Sequence, residues 1–254
     1  MSAALGRKAK VTDSERVTEG LTASVSTTGT AADDADKLCL ACVEFLGVDG
    51  AALSLLLGGV SQGTVGSSGL LATEIGEYQF TFGEGPSLEA VAAGAPVLVP
   101  DLEDPAEQRW PAFVDAVLGN GVRAVFALPV SLGSAPVGAL DLYRRQRGGL
   151  SPVALAGALL AAQLASRQFQ SMVESTDASV DLVSVQRIEV YQATGMIMDS
   201  AGLSSDDALT RLRSHAFVLG LAVSLVAWSI VDRRLMLAAS GEWEALSGPS
   251  GVST

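Results

Sequence analysis

Residues 124–143 read AVFALPVSLGSAPVGALDLY, and they set the expectation for the whole fold. Two apolar runs of strand length, residues 124–130 and 137–143, flank the turn-forming residues Ser134, Ala135 and Pro136. Apolar runs of this length on either side of a short turn predict a β-hairpin. Because the strands of a hairpin pair antiparallel, we expect the sheet that contains them to be antiparallel as well.

The residues around the hairpin alternate between strand and helix patterns. Strand-length segments cover residues 50–57, 62–67 and 96–99, and short helical segments cover residues 33–46, 87–93 and 110–118. After the hairpin, Ser151 and Pro152 have the residue types of an N-cap and a first helical position, and they open a helix that runs to about residue 175. This order predicts an α+β domain with helices on one side of an antiparallel sheet.

From residue 181 the pattern is helical. Apolar residues recur at spacings of three and four over residues 182–197, and Gly202 ends this first helix. Ser204 and Asp207 form a capping box for a second helix, and Ser224 caps a third. Three helices in about 55 residues make a small core. We therefore expect this all-α unit to pack on the preceding helix, on a second chain, or on both.

These patterns divide the chain into five parts. The first 32 residues are rich in Ser, Thr, Gly and Ala towards their end and are predicted to be a flexible tail. The predicted parts are this tail (1–32), an α+β domain (33–170), a linker helix (171–181), a three-helix domain (182–239) and a Gly/Ser-rich flexible tail (240–254).

The charge of the chain limits its partners. Its 254 residues are 48% hydrophobic, which excludes a wholly disordered chain, and 16 basic against 28 acidic side chains give a net charge of −12. A protein held to nucleic acid by a general basic surface is therefore excluded. The acidity is uneven, because residues 33–170 contain 15 acidic and 7 basic side chains whereas residues 182–239 contain five of each. Any nucleic-acid contact is expected in the second region.

Several other classes lack their defining residues. Two cysteines and one histidine are too few for a disulfide scaffold or a Cys/His zinc site. The chain has no phosphate-binding G-x-x-x-x-G-K-[ST] motif and no G-x-S-x-G nucleophile motif. Residues 1–16 have no apolar signal region, and the uncharged segments 150–166 and 216–231 are shorter than the ~18–20 residues of a membrane span. We expect a cytoplasmic protein without a membrane segment.

The three-helix region resembles an ANTAR domain, the RNA-binding output domain of bacterial transcription antiterminators. Ala193-Thr194-Gly195 fits the A-[KT]-G signature of the first ANTAR helix, and residues 203–208, 212–213 and 226–227 follow in the same order and spacing. The resemblance covers about 55 residues. The sequence departs from the family pattern at one position and in one loop, and both departures remove positive charge. Thr194 stands where Lys is frequent, and residues 218–221 are apolar in a loop that is usually polar or basic.

This resemblance implies a surface that binds RNA stem-loops. Arg213 can bond a phosphate bidentately, and Tyr191 and Trp228 can stack on loop bases, although Trp228 is expected to lie in the core. The residues predicted to contact RNA are Arg187, Gln192, Ala193, Thr194, Gly195, Arg211, Arg213 and His215. The alternatives are close packing between helices at Gly195, and a solvated face or pairing with the acidic residues 206–207 for the arginines.

Residues 33–170 resemble a GAF domain, a small-molecule sensor fold. The resemblance rests on the strand order and on residues 82–87, FGEGPS, which are typical of a turn-to-helix element in such domains. It implies a ligand pocket whose polar or aromatic lining residues are Tyr78, Glu84, Arg109, Arg123 and Asp141, each of which is otherwise a loop or surface residue. No Cys or His is placed for bilin or haem, and the cyclic-nucleotide N-K-F-D-E motif is absent, so no cofactor is expected.

Cys39 and Cys42 lie three residues apart in a helical pattern, which places both sulfurs on one face. A redox role requires a low-pKa thiolate, whereas their Leu- and Ala-rich surroundings favour buried, inert thiols. The structural interpretation is preferred, and the redox role stays open as an alternative.

Together the two resemblances predict a non-enzymatic regulator, because GAF followed by ANTAR is an arrangement known in actinobacteria. An unknown small molecule would act on the GAF-like domain, and the ANTAR-like domain would bind RNA stem-loops and favour antitermination. The uncharged faces of residues 151–175 and 216–231 predict a homodimer. A ligand would shift this dimer between two arrangements of its subunits through the helix at 152–175. The alternatives are an enzyme or redox sensor built on the GAF-like pocket, and an interaction protein whose C-terminal helices serve dimerisation.

Overall fold

A five-stranded antiparallel sheet is the centre of the N-terminal domain. The computed structural model describes residues 12–25, 31–57, 60–174 and 187–246. The strands are β1 (Gly50–Leu57), β2 (Val60–Ser67), β3 (Val97–Val99), β4 (Ala124–Leu132) and β5 (Ala135–Arg144), and their order in the sheet is β2-β1-β5-β4-β3. The predicted hairpin is present as β4–β5, with Leu128 opposite Leu140 and Leu132 opposite Ala135.

Helices cover both faces of this sheet. They are α1 (Asp13–Ser24), α2 (Ala31–Leu46), α3 (Leu70–Phe82), α4 (Pro86–Ala93), α5 (Pro111–Gly119) and α6 (Pro152–Glu174). Phe126 and Leu128 pack with α1, α2 and α6, whereas Val125 and Ala127 pack with α3 and α5 on the other face. The α+β class is confirmed, but the expectation of helices on one side is wrong. Successive side chains of a strand point to opposite faces, and β4 is apolar at both sets of positions.

The expectation that residues 1–32 form a flexible tail is wrong for α1. Thr12 and Glu15 form a capping box at its first turn, and Val17 and Leu21, four residues apart, are buried. Gly157 of α6 makes this packing possible, because a Cβ atom there would lie 2.5 Å from Leu46 Cδ2 and 2.7 Å from Val17 Cγ1. Residues 1–11 and 26–30 lie outside the described residues.

The C-terminal domain contains the predicted three helices and an additional hairpin. The helices are α7 (Ile188–Ala201), α8 (Ser205–Leu219) and α9 (Val223–Val231), and the strands are β6 (Leu235–Leu237) and β7 (Trp243–Ala245). The Ser204 hydroxyl accepts the Asp207 amide as expected, but α9 has Ala222 rather than Ser224 at its N-cap. Residues 175–181 of the predicted linker helix lie outside the described residues.

The hairpin corrects two further expectations. The domain is not purely α-helical, and residues 243–245 are a strand rather than part of a flexible tail. The Trp243 ring stacks on the imidazole of His215 with 4.2 Å between their centroids, which fixes the hairpin against α8. This contact is hard to predict from the sequence, because Trp243 is a single large side chain in a Gly/Ser-rich segment.

In the part of the chain that the structure describes, none of the helices is by itself long and apolar enough to cross a membrane. The helices α8 and α9 reach that length and hydrophobicity only when taken together, and a bend of 113° separates them.

Candidate functional site

The two domains meet where α3 of the first contacts α8 and α9 of the second and the residue that precedes α7. The Arg187 guanidinium, at the N-cap of α7, donates from Nη1 to Glu77 Oε2 over 2.9 Å and from Nη2 to Glu77 Oε1 over 2.8 Å. It also lies over the Phe80 ring, 3.6 Å from the centroid, and its side chain is 1% exposed. A bidentate pair of this kind fixes the orientation of both side chains as well as their separation.

Arg213 of α8 approaches the same aromatic ring. Its guanidinium carbon lies 4.6 Å from the Phe80 centroid, so two cations share one ring. Burial lowers the pKa of Arg213, and the neighbouring Arg187 charge lowers it further. Burial likewise lowers the pKa of Arg187, while Glu77 opposes that shift. We call Glu77, Phe80, Arg187 and Arg213 the interdomain clamp.

The predicted RNA-contacting residues therefore occupy different environments. Ala193 is fully buried in the core of the C-terminal domain, and Thr194 is buried with its hydroxyl donating to the Val190 carbonyl over 2.7 Å. His215 is half-buried against Trp243, and burial lowers its pKa. RNA contacts would have to be exposed, and these three side chains are not. The core of the C-terminal domain covers Ala193 and Thr194, and the β6–β7 hairpin covers His215.

The outer face of α7 carries the predicted residues that are accessible. Gln192 and Gly195 are exposed there, and so is Tyr191. A Cβ atom built on Gly195 would have no protein atom within 4 Å. Arg211 on α8 is also exposed. Trp228 is 47% exposed, so its expected place in the core is wrong. Among the described residues no second helix packs against Gly195, so helix packing does not explain why a glycine occupies this position.

A buried polar cluster lies between the sheet and α3 of the first domain. The Asp141 carboxylate accepts the Ser87 hydroxyl over 2.5 Å and the Gln79 amide over 3.1 Å. Gln79 also donates to the Ser87 hydroxyl over 2.7 Å and accepts the Ser87 amide over 2.8 Å. Burial raises the pKa of Asp141 to about 6, although both hydrogen bonds favour its charged form. Its second oxygen, Oδ1, is buried without a hydrogen-bond partner among the described residues.

The other four residues predicted to bind a ligand do not join Asp141. The Glu84 carboxylate accepts the amides of Ala112 and Phe113 at the start of α5, where an anion is favoured. Arg109 is exposed and pairs with Glu89 and Glu107. Arg123 donates to two backbone carbonyls and pairs with Glu103, and the Tyr78 hydroxyl accepts from Asn120. Each of these four side chains already has a bonding partner within the first domain.

Sequence reasoning missed Glu77, Phe80 and Gln79, all on α3, because no helix was expected over residues 70–82. Gly69 and Gly76 weaken the helical pattern of that segment. A usable signal existed in the spacing of Leu71, Ile75 and Tyr78, which recur at intervals of four and three residues and pack in one core cluster.

Cys39 and Cys42 are both free thiols buried in α2. Burial raises the pKa of Cys42 to about 12 and raises that of Cys39 well above its ordinary value. Thiolates are therefore disfavoured at both positions, as the structural interpretation requires. Among the described residues there is no group of three or more His, Cys, Asp or Glu side chains that could hold a metal ion.

The sheet with helices on both faces agrees with what comparison with known proteins shows. The chain belongs to the GAF domain family, which it matches over residues 31–167. The match ends before the C-terminal helices, and no ANTAR family match is found. A search of curated proteins finds no match.

Solved structures of GAF domains share the fold. The GAF domain of a phosphoenolpyruvate-protein phosphotransferase from Coxiella burnetii is 16% identical, with a TM-score of 0.53 over 63% of this chain and 95% of that one. The corresponding domain from Acinetobacter is 15% identical, with a TM-score of 0.52 over 65% of this chain and 98% of that one. At these identities the likeness concerns the fold.

Proposed function

We propose that this protein is a signal-responsive regulator of transcription antitermination, in which a GAF sensor controls a C-terminal domain that binds RNA stem-loops. The sensor class rests on the family match and the fold. The RNA-binding step rests on the ANTAR resemblance of residues 182–239 together with the surface that α7 presents. A small molecule acting on the GAF domain would supply the signal, and the protein would regulate without being an enzyme.

The observation that carries the proposal is the environment of Gly195. Glycine in a helix interior costs roughly 1 kcal/mol relative to alanine, so its presence calls for a compensating role. Close packing against another helix would be one such role, but open space surrounds the Cβ position in the described chain. A missing side chain on an exposed face allows the backbone of a partner to approach closely. Exposed Gln192 and Tyr191 beside it offer a hydrogen-bonding amide and a stacking ring to an unpaired base.

The interdomain clamp links this surface to the sensor. Arg187 and Arg213 were predicted to contact RNA, yet in the docked arrangement both guanidinium groups lie on Phe80 of the GAF domain. A signal that moves α3 would therefore alter the access of both arginines to phosphates. Docked and undocked states of the C-terminal domain would have different RNA affinities, which is the requirement for a ligand to act at a distance.

A second candidate function is suggested by apolar side chains at the end of α8 and on α9. Leu219, Leu221, Leu225 and Trp228 are between 43% and 57% exposed. Large exposed apolar side chains that lie together mark an interaction surface. A homodimer formed through them is compatible with RNA binding, whereas a C-terminal domain that serves dimerisation alone is the competing function. Light scattering at micromolar concentration tests the dimer, and a monomer would contradict it.

The test of RNA binding uses the full-length chain. RNA crosslinked to it in cells is sequenced, and a recovered stem-loop is then titrated against a duplex of equal length at two salt concentrations. We expect stronger binding to the stem-loop. Arg211→Gln should weaken it and flatten the salt dependence by about one unit of slope. Arg167→Gln, an equal charge change at an exposed position of α6, is the matched control. Equal binding of both RNAs, or none, would contradict the proposal.

A further inference from the structure

A cleft of about 430 Å³ lies between the two domains, next to the interdomain clamp. One wall comes from the end of α3 and the start of α5, and the other comes from α8. Pockets for small molecules begin at about 300 Å³, so the cleft is large enough for a ligand of modest size. It is separate from the buried Asp141 cluster, because none of Gln79, Ser87 and Asp141 lines it.

The charge beside this cleft is unbalanced. Glu77 neutralises Arg187 through two hydrogen bonds, but no acidic side chain in the described ranges pairs with Arg213. Its Nε is buried without a hydrogen-bond partner. Arg213 is half-buried, so its charge is partly removed from water without a counter-charge, and a bound anion would offset that cost. The Glu84 carboxylate also lines the cleft, but its oxygen accepts the amides at the start of α5 instead.

A second unpartnered donor belongs to Thr81, a residue that lines the same cleft. Thr81 is 4% exposed, and its hydroxyl oxygen makes no hydrogen bond within the described structure. Because buried polar groups are nearly always hydrogen-bonded, an unsatisfied one in a cleft marks a place for a ligand atom. The guanidinium of Arg213 and the hydroxyl of Thr81 are both able to donate to an oxyanion.

The remainder of the cleft is apolar. Phe82 of the GAF domain and Phe217 of α8 meet edge to face with 5.6 Å between their centroids, and Val218 continues this wall. Phe217 is 57% exposed, so a ligand ring would remove apolar surface from water there. The cleft thus pairs donors for an anion with a surface for a hydrophobic group.

We propose that the interdomain cleft binds a small organic anion, a carboxylate or a phosphate monoester that carries an apolar group. The oxyanion would accept from Arg213 and Thr81, and the apolar group would lie on Phe82 and Phe217. Because these residues come from both domains, the bound anion holds them in the docked arrangement. Arg213 is also a predicted RNA contact, so the anion is titrated without RNA and its binding is measured separately from the proposed RNA binding.

The experiment is calorimetric titration of the full-length protein at fixed ionic strength. Benzoate and phenyl phosphate are the two organic anions, inorganic phosphate lacks the apolar group, and benzyl alcohol lacks the charge. We expect one of the organic anions to bind with a stoichiometry of one per chain and more tightly than inorganic phosphate, while benzyl alcohol gives no measurable binding. The preferred anion distinguishes a carboxylate ligand from a phosphate ligand.

Variants then locate the site. Arg213→Gln should weaken the preferred anion by about tenfold or more, which is the effect of losing one hydrogen bond from a charged group. Arg211→Gln, on the exposed side of the same helix, should stay within about twofold of the wild type and controls for net charge. Thr81→Val removes the second donor without changing the size of the side chain and should also weaken binding, which keeps the test valid if Arg213→Gln fails to fold. Unchanged affinity in Thr81→Val and Arg213→Gln, equal binding of benzyl alcohol, or no binding of either organic anion would overturn the proposal.

Discussion

Removing the carboxylate of Glu77 should separate the two domains while leaving each of them folded. Arg187 is almost completely buried, and Glu77, whose side chain is 26% exposed, is its anionic partner. In Glu77→Gln the guanidinium keeps one amide oxygen as an acceptor but loses its counter-charge. The C-terminal domain can avoid a buried, unpaired cation by leaving α3, which returns Arg187 to water.

The size of the effect follows from that burial. Breaking a buried ion pair by removing one partner costs about 3–5 kcal/mol. We expect the lower end, because the Glu77 carboxylate keeps contact with solvent and the amide replaces one hydrogen bond. A loss of about 3 kcal/mol corresponds to roughly a hundredfold shift towards the undocked state.

Hydrogen–deuterium exchange followed by mass spectrometry measures this shift. Local opening accelerates amide exchange where tertiary packing is lost, so peptides from α3 and α7 should exchange faster in Glu77→Gln. Peptides from α2 and α6, which form the opposite side of the GAF core, should exchange as in the wild type. Glu74→Gln lies one turn earlier on α3 at an exposed position and is the matched control.

Two results would refute this reasoning. Unchanged exchange in α3 and α7 would show that the ion pair does not hold the domains together. Faster exchange throughout α2 and α6 would show that Glu77 supports the GAF domain itself, so that its loss is a folding defect and not a release of the C-terminal domain.

Two further substitutions and one labelling experiment have defined outcomes. Gly195→Ala should raise the free energy of unfolding by about 0.5–1 kcal/mol in urea titrations, because alanine is the better helix former and its Cβ meets no protein atom. The same variant should weaken stem-loop binding, and wild-type affinity would argue against RNA on this face. Burial raises the pKa of Asp141 from its ordinary value of 3.8 to about 6. Between these two pH values the native chain binds more protons than the unfolded chain, so the stability of the wild type falls as the pH rises through that window. The free energy of unfolding of Asp141→Asn, relative to that of the wild type, should therefore rise by about 1 kcal/mol between pH 5 and pH 7. Parallel pH profiles of the two proteins would contradict this. Cys39 and Cys42 should react slowly with a thiol reagent in the native protein and rapidly after unfolding, whereas fast native labelling would favour the redox alternative.

The features that sequence predicted best are those with a local physical cause. The β4–β5 hairpin follows from two apolar runs and a short turn. Ser204 caps α8 because its hydroxyl accepts a hydrogen bond from the amide of Asp207, three residues later, and this needs no contact with a distant segment. The first helical segment is expected to end at residue 46, and α2 does end there, because Gly47 follows it with φ of 64°, a left-handed conformation that suits glycine.

What sequence could not predict depends on contacts between distant segments. Arg187 and Glu77 are 110 residues apart, and their patterns separately indicate solvated side chains. α1 has few apolar residues and is stabilised by packing on α2 and α6, which its own composition does not reveal. The side chains of Ala193 and Thr194 matched a motif, but motif position does not state which way a helical residue faces.

The central proposal is that docking onto α3 restrains an RNA-binding domain. Fluorescence anisotropy of a labelled stem-loop RNA recovered by crosslinking, titrated with wild-type protein, Glu77→Gln and Glu74→Gln, tests that claim most directly. The account predicts that Glu77→Gln binds the stem-loop more tightly than the wild type, because Arg187 and Arg213 become accessible, and that Glu74→Gln binds as the wild type does. Stem-loop binding that is absent in all three proteins, or equal in Glu77→Gln and the wild type, would contradict it.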